Sequence, residues 1–478
     1  MRTNRPAVLL AVVAVAVGAM TGRFVVAGQE AGAQGRGAIG TRELALTVAD
    51  GFSIASVGDV ILAYPQAQNP DPGFQAVLKI IRDADVATGN YEGNIIDGRS
   101  FRGSGPGGFA GVPEVAADLK AMGWDLVARS NNHAGEYGYE GLLETNRHLD
   151  AAGVVFAGSG ESYWAARAPR FYTSARGRVG MVATASSFAA NMVAEPGRGE
   201  WLGRGGQSAL RTTRYFMVPR SLWASVTNLR QAFPSGLGFY APTGETPDDV
   251  TVLGQRFKTS PSVTEPHYSF DLHPQDLKDV LAMVREGKIK SDFMTVAIHA
   301  HHFRDAKGGE RGPNVPETED LDTNPSVADY LPVFAKAAID AGADTFLGSG
   351  VHVLRGIEIY KGKPIFYGLG EFFRQMDIVG LAGMGLGRGD ENSPPIKYES
   401  VVAVSRFDRG QLSEVRLHPV ELTFDVRMAQ RGVPRLASAE AGRHILTRLQ
   451  TLSAPFGTTI AIDGAVGLIR PAPPKTAD

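Results

Sequence analysis

From residue 50 to about 185, short apolar runs alternate with segments of helical spacing, which confines a chain of this kind to an α/β architecture. Phe52–Val57 reads as a strand ending at Gly58–Asp59, Phe74–Arg82 as a helix, and Asp85–Asn90 as a strand running into Tyr91–Glu92. Pro113–Met122 reads as a helix with Pro113 near its first turn, and Asp125–Arg129 as a strand ending at Ser130-Asn-Asn-His133. The helix predicted over Gly138–Ala152 stops at Gly153, a strand follows over Val154–Ala157, and Arg176–Gly177 turns a hairpin between Arg170–Ser174 and Val179–Thr184. The pattern resumes with a helix over His273–Glu286, a strand over Met294–Ile298, a helix over Asn324–Ala341 and a strand over Asp344–Leu347 leading to Gly348–His352. The intervening stretch, about 192–270, is rich in Gly, Pro, Ser and Thr with weak periodicity, and is expected to be a loop-rich insertion.

The 478 residues carry no cysteine, which excludes disulfides, thiolate zinc sites, iron–sulfur clusters and cysteine nucleophiles. A metal would have to be held by carboxylate, amide and imidazole groups. Lys+Arg number 48 against 50 Asp+Glu, a formal charge of −2 that argues against nucleic acid as a partner. Arg2 and Arg5 precede an uncharged run from Ala7 to Met20, the pattern of a secretory signal. That run is short for a bilayer, which takes about 20 apolar residues. Residues 1–33 are therefore read as a signal peptide, with an uncleaved anchor as the alternative, and residues 34–49 as a flexible leader. An exported protein is expected: periplasmic, cell-surface or secreted. One domain is expected over 50–425, with 426–478 as a C-terminal extension packed on it.

Polar groups of metal-ligand type stand directly after five predicted strands: Asp59, Asn90/Glu92, Asn132–His133, His299 and His352. In open α/β sheets, ligand sites gather at the carboxyl ends of strands, so these groups can converge despite their separation in sequence. Oxygen and imidazole without sulfur suit Mn, Fe or Zn better than an all-oxygen calcium site. Such a divalent ion polarises a phosphoryl oxygen and activates water. Taken singly, each residue reads as readily as a turn or cap residue; the repeated position carries the expectation.

Gly58-Asp-Val-Ile-Leu62, Asn90-Tyr-Glu92, Asn131-Asn-His-Ala-Gly-Glu-Tyr-Gly138, Phe156-Ala-Gly-Ser-Gly160, Gly348-Ser-Gly-Val-His-Val353 and Tyr360-Lys-Gly-Lys-Pro-Ile-Phe-Tyr-Gly-Leu-Gly-Glu-Phe372 together resemble the poly-γ-glutamate capsule biosynthesis CapA family, over about 50–425. The Gly203–Arg211 segment is similar to that family's Arg/Gly loop. The resemblance implies a calcineurin-like metallophosphoesterase fold, a four-layer α-β-β-α sandwich. It also implies metal-ligand roles for Asp59, Glu92, Asn132, His299 and His352, and a proton donor at His133. This sequence departs from the pattern at Ile61, Ser349, Glu136 and Glu371, and has His301 and His302 where the family more often has other residues. His301 is a candidate replacement ligand, and Glu371 either a ligand or a structural carboxylate. Arg204 and Arg211 are candidates for anion recognition, since guanidinium groups clamp phosphate or carboxylate in bidentate fashion.

Two functional readings follow. One is a divalent-metal-dependent hydrolase or transferase acting on a phosphoester or polyglutamate-type capsule linkage. The other is a non-catalytic surface or assembly factor that binds an anionic polymer and helps its export, alongside capsule-synthesis partners in the membrane. An intact ligand set favours the first, and the departures favour the second.

Overall fold

The structure is a computed structural model, and it describes residues 47–105, 107–233, 244–305, 324–375, 395–424, 426–427 and 430–471. The expected signal segment 1–33 and most of the leader 34–49 lie outside the described residues.

Most strand positions in this chain are buried on both faces, and side-chain alternation shows what covers each one. Along the first strand, Phe52–Ile61, Phe52 and Ile54 enter one hydrophobic cluster while Ala55, Val57 and Val60 enter another. The same split separates Val86 from Ala87 and Val401 and Ala403 from Val402. These strands belong to one large sheet, ordered Ala461–Asp463, Val466–Ile469, Gln411–Leu422, Glu399–Asp408, Phe52–Ile61, Val86–Tyr91, Leu126–Ala128 and Val155–Ala157. A second sheet is ordered Ile357–Tyr360, Lys363–Phe366, Thr345–Ser349, Phe293–His299, Gly177–Ala185 and Arg170–Ser174. Val179, Met181, Phe293, Ala297, Leu347 and Phe366 of the second sheet join Phe52, Ile54 and Val86 of the first in one cluster. Phe293 packs on Phe52 and Phe407 at 5.2 and 4.8 Å between ring centroids.

The other faces are covered by helices. Phe74, Val77 and Ile81 of the Pro72–Asp83 helix and Val115 and Leu119 of the Glu114–Met122 helix pack with Ala55, Val57 and Val60 of the first strand. Val280 and Val284 of Pro274–Ile289, and Leu331, Phe334 and Ala338 of Tyr330–Asp340, pack with Met294, Val296 and Ile298 of the second sheet. The result is a mixed α/β fold of several sheets. The Ala439–Ser453 helix adds Ile445, Leu446 and Leu449 to the cluster between the sheets, and strands Ala461–Asp463 and Val466–Ile469 extend the larger one.

Two expectations are refined. Among the described residues of the 192–270 insertion, Thr212–Val218, Asp249–Val252, Gln255–Thr259 and His267–Leu272 form a four-stranded sheet, with the Arg220–Ala232 helix beside it. Its strands are half exposed and pair across long separations, as in Phe216↔Phe257 and Thr212↔Leu272, so no clean alternation marks them in sequence. The helix expected over Asn324–Ala341 begins at Tyr330. Pro332 sits in its first turn, and the Asp329 carboxylate is engaged by Ser269 Oγ and the Phe270 amide. Among the described residues no helix is long and apolar enough to cross a membrane.

Candidate metal centre

The first strand does not end before Asp59, as its sequence suggests, but carries it. Phe52–Ser56 pair antiparallel with Glu399–Asp408, while Asp59–Ile61 pair in parallel with Glu371–Arg374. Gly58 lies at this change of partner. A Cβ there would meet the Gly370 carbonyl oxygen at 1.7 Å, so only glycine permits the approach that lets the Asp59 amide donate to that oxygen at 3.1 Å.

Asp59 is buried, and both carboxylate oxygens are engaged: Oδ1 accepts from Asn90 Nδ2 at 2.8 Å and Oδ2 from the Gly350 amide at 3.0 Å. Asn90 Nδ2 also lies 3.1 Å from His299 Nδ1, a nitrogen that Ser349 Oγ approaches at 3.2 Å. His299 is the last residue of its strand, and its Nε2 lies 3.0 Å from His301 Nε2 and 3.7 Å from Glu92 Oε1. Burial, and then the neighbouring rings of His301, His352 and His133, hold its pKa well below the usual 6.5, so the imidazole is neutral. His352 lies three residues beyond its strand in the left-handed region, with φ of 58°, a strained conformation for a non-glycine residue. Its Nδ1 lies 3.8 Å from Asp59 Oδ2 and 2.9 Å from Glu371 Oε1.

Two buried or half-buried groups thus share one carboxylate. Glu92, His299 and His301 offer ligand atoms within 4.8 Å of one another, as do Asp59, Glu92 and His352. Neutral imidazole beside buried carboxylates is a donor set that fits a divalent cation of the Mn, Fe or Zn kind. Asn132 adds a buried Oδ1 without a hydrogen-bond partner.

His133 stands at the edge of this cluster. Its Nδ1 lies 2.7 Å from Glu136 Oε1, and its Nε2 faces Asn132 Nδ2 at 3.2 Å and Glu92 Oε1 at 3.5 Å. Glu136 is itself anchored by the Phe109 amide at 2.7 Å, and the Phe109 ring lies 4.2 Å from the imidazole. Of the other histidines nearby, His302 turns to Tyr330 Oη at 2.9 Å and stacks on Phe270.

The two candidate anion-binding arginines pair elsewhere. Arg211 makes a bidentate contact with Asp276 at 2.6 and 2.8 Å, and Arg204 pairs with Glu195 at 2.9 Å while donating to the Val193 carbonyl. Ser349, a departure already marked in the sequence, does lie beside the cluster, whereas Phe109 and Arg374 were not legible as site neighbours. Arg374, three residues after Glu371, contacts it at 2.6 Å, and its i+3 spacing is the one signal available in sequence.

Residues 53–376 match the family model described as "Bacterial capsule synthesis protein PGA_cap". The "Uncharacterized protein y4sH" of Sinorhizobium fredii is 38% identical over 464 residues, 90% of this chain and 95% of that protein. The "PGA biosynthesis protein CapA" of Bacillus subtilis is 22% identical over 329 residues, 68% of this chain and 63% of its own length. A protein of Mycobacterium tuberculosis named "Probable polyglutamine synthesis accessory protein" is 27% identical over 299 residues, 62% of this chain and 57% of its own.

Proposed function

The chain belongs to the bacterial capsule synthesis protein PGA_cap family, and from that premise we propose that it is an exported, divalent-metal-dependent hydrolase or transferase acting on a phosphoester or polyglutamate-type linkage of an anionic polymer. The observation that carries this reading is the convergence of Asp59, Glu92, His299, His301 and His352, from four separate segments, on two ligand groups that share Glu92. The four-layer sandwich of metallophosphoesterase type belongs to the same reading, supported by helices on the outer faces of two sheets that share one core cluster.

Asp59, Glu92, His299, His301 and His352 hold the cation, with Asn132 Oδ1 as a further oxygen donor. A divalent cation there supplies Lewis-acid polarisation of the scissile group and lowers the pKa of water. His133 is oriented for proton transfer: Glu136 takes its Nδ1–H and the Phe109 ring packs beside it, so Nε2, on the cluster side, is the nitrogen that takes up a proton and passes it to a leaving oxygen.

A second reading, a non-catalytic factor that binds the polymer and supports its export with membrane partners, draws on the depth of the cluster. Asp59, Glu92 and His299 are each only 1% exposed, which leaves little of the donor set open to a polymer.

Metal analysis of the purified full chain, with phosphomonoester and phosphodiester assays in Mn²⁺, Zn²⁺ and Mg²⁺, separates the two. The enzyme reading expects His299→Ala to lose metal, and His133→Ala to keep it while turnover slows by about 10²–10⁴-fold. Metal-loaded wild type without turnover on any such substrate transfers the assignment to the binding factor. Equal metal loss in both variants makes His133 a ligand.

A further inference from the structure

Glu371 occupies a place where a second carboxylate ought to be unwelcome. The parallel ladder sets it opposite Asp59, and it is fully buried. The His352 ring lies against both carboxylates, with Nδ1 nearer to Glu371 Oε1, at 2.9 Å, than to Asp59 Oδ2, at 3.8 Å. Asp59 already accepts from Asn90 and from the Gly350 amide. With the Arg374 guanidinium on the same oxygen, Glu371 Oε1 is placed as an acceptor, and the ring nitrogen that faces it is His352 Nδ1.

Glu371 is not in either of the ligand groups that gather around Glu92. Its Oε1 is also 2.6 Å from Arg374 Nη1, so a cation on this carboxylate would have to share it with a guanidinium. Arg374 is held in turn by its backbone amide on the Gly432 carbonyl at 2.9 Å, and is 6% exposed. The left-handed backbone of His352 does not by itself decide which ring nitrogen faces the cluster; a fixed acceptor on one nitrogen does.

We infer that Glu371 and Arg374 are a positioning pair for His352: Arg374 neutralises Glu371, Glu371 takes the Nδ1–H, and Nε2 is left as the nitrogen His352 presents to a divalent cation. The inference rests on the metal-centre reading above and assigns a role to a carboxylate that the sequence left open between ligand and structural group. A carboxylate on the far nitrogen raises the basicity of the ligating one, and loss of such a partner typically costs about 10–100-fold in metal affinity.

Titration of the full-length protein with Co²⁺, read by chelator competition and by the visible absorption of the ion, tests this. Glu371→Ala is expected to weaken Co²⁺ binding about 10–100-fold while leaving the spectrum at saturation unchanged. Glu371→Gln, which keeps an oxygen acceptor for Nδ1–H, is expected to recover most of the affinity with the same spectrum. His352→Ala is expected to change the saturated spectrum, because a ligand is lost. Wild-type affinity in Glu371→Ala, or a changed saturated spectrum in Glu371→Gln, overturns the positioning role and leaves the metal centre standing. If Glu371→Ala does not fold, the Glu371→Gln spectrum alone decides. Failure of the wild type to take up Co²⁺ removes the metal centre itself, an outcome distinct from either of these.

Discussion

The seam between the two large sheets and the inserted four-stranded sheet are both built from β-strands, yet they are held together differently. In the seam, Phe52, Phe293 and Phe407 meet with no exposed surface, and strand register follows from burial on both faces. In the insertion the strands are half exposed. They are joined by the Arg256–Asp249 ion pair, a stack of Phe216 on Phe257 at 4.9 Å, and Lys258 over the Tyr215 ring, and the Arg220–Asp248 pair ties the adjacent helix to the turn before Asp249. All the candidate ligands hang from the strands and strand-end loops of the two large sheets. The insertion reaches them at one remove, through Phe270 stacked on His302 beside His301. Chemistry that depends on positions fixed to a fraction of an ångström sits where a one-residue slip of register would turn a whole row of apolar side chains outward.

The sharpest break in this contrast is Gly58→Ala. The added methyl has no space against the Gly370 carbonyl, so the change of partner along the first strand cannot form as it stands. We expect a loss above about 4 kcal/mol, measured by urea denaturation, and disordered ligand geometry in whatever remains folded. A stable, metal-competent variant would show that the seam tolerates displacement there.

Phe293→Ala removes the ring between Phe52 and Phe407 and is expected to cost about 3–5 kcal/mol. A loss below about 1 kcal/mol would mean the seam can collapse around the gap, and that its rigidity is not what places the ligands.

The larger sheet also carries a pH sensitivity. His418, paired across from Val402, has its pKa lowered from 6.5 to about 4, by burial first and then by Arg416. As pH falls, the unfolded chain binds the proton before the folded one does. The stabilising difference is therefore complete above pH 6.5 and is lost as pH falls from 6.5 towards 4. The melting temperature should fall across that window, and His418→Gln should flatten the fall; an unchanged slope would assign the acid sensitivity to other groups.

The smallest effect belongs to the insertion. Arg220 and Asp248 are each 49% exposed, so Arg220→Ala is expected to cost about 0–1 kcal/mol, less at high salt. A larger loss would make the insertion's ion pairs structural in the way the buried seam is.

Much of the fold could be read from residue pattern. The helix over Gly138–Ala152 has the expected bounds, with Gly153 at φ of 73° closing it, and the Arg170–Ser174 hairpin forms as its turn residues imply. The positions of Glu92, His299 and His352 at or near strand ends were legible for the same reason, since apolar runs stop where polar groups begin, whereas Asp59 lies inside a strand that runs on to Ile61. The inserted sheet was not legible, because half-exposed strands lack a clean period. Nor was the engagement of Arg211 with Asp276, a pairing across 65 residues that no local pattern encodes.

What the sequence determined by itself is the kind of element at each place and the chemistry available there: no sulfur, several imidazoles, and carboxylates where strands run out. These follow from local periodicity and composition, which involve only near neighbours. Which carboxylate faces which imidazole was decided by tertiary structure alone. Asp59 and Glu371 become neighbours because one strand exchanges an antiparallel partner for a parallel one at Gly58. Arg374 then neutralises the second carboxylate because that same pairing buries both. Burial and Coulomb interaction act through space, and Asp59 and Glu371, far apart in the chain, meet only once the strands that carry them have paired.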